Sequence, residues 1–116
     1  MIMKKKTKAK NEFRYNNQTS HPNYVFEESG NKYRAVGITH REKTFGRANM
    51  SLDKNPDPKD TEKAYVRNGI ISDKKSNFSS KPIKRFAFQP DDFAKVKSKV
   101  RNYKKKRKKK PKANAR

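Results

Sequence analysis

Two histidines, His21 and His40, are the only side chains in the chain whose ordinary titration falls near neutral pH. His40 stands in the stretch Thr39-His40-Arg41-Glu42-Lys43. There an imidazole able to take a 2′-hydroxyl proton would sit beside cations able to hold a phosphodiester. That is the chemistry of metal-free RNA cleavage, and it makes His40 the one catalytic candidate. A lone histidine at a strand end is also common in proteins that catalyse nothing. The chain is therefore read as a binding protein first and an enzyme second. Asp53, Asp57 and Asp60 do not have the spacing of a calcium-binding loop, and the prolines among them favour Asx-type turns. No metal and no cofactor is expected. Gly30, Gly37, Gly46 and Gly69 are scattered and form no phosphate-cradling loop.

The stronger chemistry is cationic. Of 116 residues, 33 are Lys or Arg and 11 are Asp or Glu, a net charge of +22. Residues 1–12 hold five Lys against one Glu. Residues 95–116 hold 13 Lys plus Arg and no acid. One-signed blocks of this kind are interaction segments, and phosphates repay them through release of condensed counterions. Lys outnumbers Arg by 24 to 9. A lysine is a mobile point charge suited to phosphate contact, whereas arginine's planar fork suits base reading. The expected phosphate contacts are Lys4, Lys5, Lys6, Lys8 and Lys10 at one end. At the other they are Lys95, Lys97, Lys99, Arg101 and the unbroken run Lys104, Lys105, Lys106, Arg107, Lys108, Lys109 and Lys110. Specificity falls to the middle, where Arg34, Arg41, Arg47, Arg67 and Arg85 lie among Tyr24, Tyr33, Tyr65 and Phe86. Tyr33 and Phe86 are expected in the core.

Composition narrows the classes. Apolar residues make up 29%, too few for the whole chain to be an ordinary globule. The chain contains no cysteine, which removes disulfides, zinc–thiolate sites and thiol nucleophiles, and fits a reducing, cytoplasmic setting. No run of 18 apolar residues could span a membrane, and MIMKKKTKAK lacks the apolar stretch of a secretory signal. Neither a membrane nor a small molecule is expected as partner. Nucleic acid is, with RNA favoured because no helix-turn-helix pattern is present.

The elements that must position these residues form a small α+β domain. We expect four to five mostly antiparallel strands, with an SH3-like barrel as one form of them, a C-terminal amphipathic basic helix, and basic tails. Residues 1–20 read as a flexible arm whose Phe13 and Tyr15 either anchor it on the domain or stack on bases. Residues 21–103 read as the β domain with a helix from about residue 90, and 104–116 as a Lys/Arg-rich tail. Residues 24–40 read as a hairpin about Gly30-Asn31, with Gly37 marking a bulge or bend. Residues 41–62 read as loop, with Phe45 and Leu52 dipping into the core. Residues 63–71 and 83–88 read as further strands. Pro90, Asp91 and Asp92 open the helix, and Phe93, Val96, Val100 and Tyr103 form its apolar stripe.

The segments KYRAVGITH, LDKNPDPKD, AYVRN and FQPDDFAKV, within residues 21–100, resemble small basic proteins encoded in bacterial mobile elements and prophages. A looser similarity runs to the SH3-like-barrel endoribonuclease toxins, through a hairpin returning along Gly37-Ile38-Thr39. The chain is shorter than those toxins and carries long basic tails that they lack. The first resemblance implies a mobile-element context; with the size and charge of the chain, that context suggests an accessory nucleic-acid-binding protein, one form of which is an anti-CRISPR inhibitor acting on a guide-RNA effector complex. The second implies RNA cleavage at His40. Tails of this kind also suit a ribosomal or ribonucleoprotein structural component.

Overall fold

The structure is a computed structural model, and it describes residues 7–108. Among these, eight strands run in chain order: β1 (Thr7–Tyr15), β2 (Pro22–Ser29), β3 (Lys32–Thr39), β4 (Lys43–Thr44), β5 (Arg47–Ala48), β6 (Met50–Ser51), β7 (Tyr65–Val66) and β8 (Ile71–Lys74). One helix, α1 (Pro90–Lys108), follows. The class is α+β, with an antiparallel sheet ordered β1-β2-β3-β7-β6. β8 pairs with the first half of β3 and β7 with its end. The sheet stays open, so the barrel form of the expectation is not met. β4 and β5 make a separate two-stranded hairpin.

The central hairpin forms where alternation and the turn agree, with Ser29 opposite Lys32 across Gly30-Asn31 and Gly30 at φ 62°. Its irregularity lies at Phe26 and not at Gly37. Val25 faces Ala35 and Glu27 faces Arg34, so Phe26 is an extra residue in β2. The bulge turns both Phe26 and Glu27 toward the helix side. Gly37 serves a close approach instead: a Cβ there would stand 3.0 Å from Cδ of Arg67.

The expected arm is in large part strand. β1 pairs with β2 from Thr7 opposite Ser29 to Tyr15 opposite Pro22. An edge strand needs only backbone partners and one good anchor, and here Phe13 is that anchor. It is buried, with ring centroids 5.0–5.4 Å from Phe88, Tyr24 and Phe86. The expected strand at 63–71 is interrupted, since Asn68 and Gly69 leave the ladder between β7 and β8. Residues 83–88 are not a strand. Phe86 N–H bonds the Ile83 carbonyl at 3.3 Å, a turn that sends both Ile83 and Phe86 into the core.

The helix begins at Pro90 as expected and lays its stripe on the sheet. Val96 is fully buried, and Phe93, Val100 and Tyr103 pack around it. Phe93 meets Tyr24 at 6.4 Å and Tyr103 meets Phe26 at 6.0 Å, so early turns lie over Tyr24 and later turns over Phe26. Asp92 does more than face the helix dipole. It is buried, and its carboxylate accepts the Asp53 and Lys54 N–H groups at 2.9 and 3.0 Å, tying the loop after Leu52 to the helix. On the other face of the sheet, Val25, Tyr33 and Ala35 pack with Phe78.

Candidate nucleic-acid interface

From Phe93 to Lys108 the helix carries nine cations and no acid. The apolar stripe uses one side, so geometry sorts the cations onto the others. Lys97, Arg101 and Lys105 are exposed and recur every four residues, about 6 Å apart along the axis. Lys95, Lys99 and Lys106 line a groove of about 560 Å³ between the helix and Met50, Asn68 and Ile70. Lys10, Lys97, Arg101 and Lys104 rim a second groove of about 390 Å³, floored by Tyr24, Phe26, Phe93 and Val100. The helix is thus a ridge of positive charge between two cation-edged channels. Lys10 reaches this site because β1 is a strand; it also pairs at 3.7 Å with Glu12 and Glu28.

Several of these cations are bound to the fold as well. Lys95 donates to the Ser51 carbonyl at 2.8 Å, and Lys99 to the Asn68 carbonyl at 3.2 Å. Burial, with the charge of Lys106 behind it, lowers the pKa of Lys99. Lys97 lies 5.2 Å from the Phe93 ring centre. Lys8 is exposed on β1. Arg107 and Lys108 belong to α1 by their backbone, while Lys4, Lys5, Lys6, Lys109 and Lys110 lie outside the described residues.

The five arginines of the middle divide. Arg34 is paired to buried Glu27, and Arg85 grips Asp57 with two hydrogen bonds at 3.0 and 3.2 Å. Those bonds hold the Asp57 carboxyl below its ordinary range, while Arg85 covers the Phe86 ring. Both arginines are occupied structurally. Arg41, Arg47 and Arg67 are in no ion pair with any described residue. Arg41 and Arg47 are exposed, and Arg67 is half-buried.

No family model matches this chain, and no curated protein or solved structure matches it either.

The ring of His40 is engaged by carboxylates. Its Nε2 lies 2.7 Å from Asp60 Oδ2 and 3.3 Å from Glu62 Oε1. The three donor atoms lie within 4.8 Å of one another, so together they could offer a divalent cation one nitrogen and two oxygens. Neither Asp53 nor Asp57 joins this group: Asp57 is held by Arg85 and Asp53 lies beside Lys95. Glu62 was missed in the sequence, because its approach to His40 depends on how the 53–62 loop folds back.

Phe45 is the largest surprise. The sequence reading placed it in the core, yet it is 94% exposed at the tip of the β4–β5 hairpin. Phe45 and Gly46 are both left-handed, at φ 53° and 77°, the geometry of a primed two-residue turn that normally takes Asn-Gly. A bulky residue there carries strain of about 1–3 kcal/mol. The sequence signal was the pair Phe-Gly between Lys43-Thr44 and Arg47.

Among the described residues, no helix is long and apolar enough to cross a membrane.

Proposed function

We propose that this chain is a non-enzymatic nucleic-acid-binding protein, with RNA favoured, that grips phosphates through α1 and the basic ends. Its setting, by resemblance, is a bacterial mobile element in the cytoplasm, and inhibition of a guide-RNA effector complex is one concrete form of the role. The observation that supports this best is the helix itself. Its exposed row Lys97, Arg101, Lys105 runs along the edge of one groove, a second cation-edged groove lies on the helix's other side, and no acid follows Asp92. A row of mobile charges without bidentate partners suits backbone contact and carries little sequence information. Cleavage at His40 is not part of this reading, since Asp60 and Glu62 would repel a phosphodiester at that ring.

The test replaces Lys97, Arg101 and Lys105 together by Gln. These side chains are exposed, so the fold should survive. Affinity for RNA should fall most at low salt, and the slope of log affinity against log salt should shrink by about 2–3. An unchanged slope would remove the helix from the interface.

A further inference from the structure

The β4–β5 hairpin is tied to the fold by side-chain hydrogen bonds and leaves an aromatic ring exposed. Asn49 is buried beneath it, donating from Nδ2 to the Arg41 carbonyl at 3.0 Å and to Thr44 Oγ1 at 2.8 Å. Its Oδ1 accepts the Asn68 N–H at 3.0 Å, and Asn68 returns its own amide to the Arg47 carbonyl at 3.1 Å. The fold therefore spends two asparagines on holding a turn whose tip residue is strained and covers nothing. Strain kept in place by surrounding bonds, at an exposed position, marks function more often than packing.

Beside the ring lies a pocket of about 180 Å³, lined by Phe45, Arg67, Asn68, Asn23, His21 and Ile71 among others. This is below the about 300 Å³ at which small-molecule sites usually begin. Its lining combines Phe45, the Arg67 guanidinium, which has no acidic partner among the described residues, and asparagines whose Nδ2 groups hold the fold, Asn23 on the His21 carbonyl and Asn68 on that of Arg47. Lys43 and Arg47 lie on the two strands of the hairpin, two residues either side of Phe45 in the chain, and Arg41 and Glu42 precede it. Unpaired bases are recognised by groups of this kind: stacking on a ring, arginine for the base edge, and cations for the adjoining phosphates.

We propose that Phe45 is a stacking platform for a single unpaired nucleobase seated between the β4–β5 hairpin and the Arg67-Asn68 segment. The proposal rests on the nucleic-acid-binding reading and specifies its substrate as single-stranded or looped-out. A base inside a duplex offers no free face to the ring, so duplex RNA would engage only the helix.

The experiment uses the full chain with two probes, a short oligouridine and a blunt duplex RNA. Phe45→Asn installs the residue that the turn prefers, so thermal stability should rise. Affinity for oligouridine should nevertheless fall about 5- to 150-fold, and duplex affinity should hold. Phe45→Tyr should retain single-strand affinity. The chain has no tryptophan, so Phe45→Trp gives a lone reporter, quenched by oligouridine and indifferent to duplex. If the parent binds both probes and Phe45→Asn binds oligouridine as the parent does, the stacking role is overturned while the phosphate reading stands. Equal losses for both probes overturn it too. If the parent binds neither probe, the underlying reading fails, and the base site with it.

Discussion

Lys104 Nζ on α1 stands 3.4 Å from Glu27 Oε1 on β2, while Arg34 holds the other carboxylate oxygen. Glu27 is 1% exposed, and the Phe26 bulge is what turns it toward the helix. The first residue of the seven-cation run is thus a strut of the fold. Neutralising this buried acid leaves two cations facing each other. Glu27→Gln should cost about 1–3 kcal/mol in urea unfolding. A loss below about 0.5 kcal/mol would show that the triad does not hold α1 in place.

Asp92 anchors the opposite end of the helix through two backbone N–H groups. Asp92→Ala should lower stability by about 1.5–3 kcal/mol, since charge-assisted hydrogen bonds are lost where water cannot replace them. Asp91→Ala, at an exposed site one residue earlier, should cost no more than about 1 kcal/mol. Thermal melts of the pair give the comparison, and equal effects would deny the anchoring role.

Phe13 decides whether residues 7–15 are strand or arm. Truncation in a packed aromatic cluster costs about 3–5 kcal/mol, enough to unfold much of a small domain. Phe13→Ala should do so, as read by circular dichroism and urea midpoint. An arm would lose nothing.

Stability should fall at both pH extremes for separate reasons. The carboxyls of Asp57, Asp60 and Asp73 are held low, chiefly by Arg85, by the Glu62 N–H and by the Asn77 amide respectively. Their contribution is present above the unfolded value of about 4 and disappears as pH drops through the folded ones. Tyr24 runs the other way, because burial pushes its phenol up to about 12. Its contribution is complete below about pH 10 and is lost as pH rises toward about 12. Urea midpoints against pH, followed with tyrosinate absorbance, should show both limbs. No loss on the alkaline side would mean that Tyr24 is not sealed beneath Phe88 and Phe93.

The hairpin and the helix were legible because several local signals agreed at each. Gly30-Asn31 sat between alternating runs, and Pro90 preceded a stripe ending at Tyr103. β1 was not legible, since Lys-Asn-Glu-Phe-Arg-Tyr offers one buried apolar residue and the rest of its pairing is backbone bonds with polar side-chain contacts to β2. Residues 83–88 alternate like a strand, but a turn at Lys84-Arg85 brings Ile83 and Phe86 inward together. The helix cations could be read from spacing. Arg34 and Arg85 misled because their acids lie seven and 28 residues away, a distance that composition does not register. Phe45 misled because an aromatic was assumed to seek burial.

The central claim is that phosphates are the ligand of the basic face. Equilibrium binding of the intact chain to RNA, titrated with monovalent salt, tests it most directly. With roughly 6–10 phosphates neutralised, affinity should drop about 10³- to 10⁵-fold between about 50 and 200 mM salt. A response flat over that range, or no binding at low salt, would contradict it.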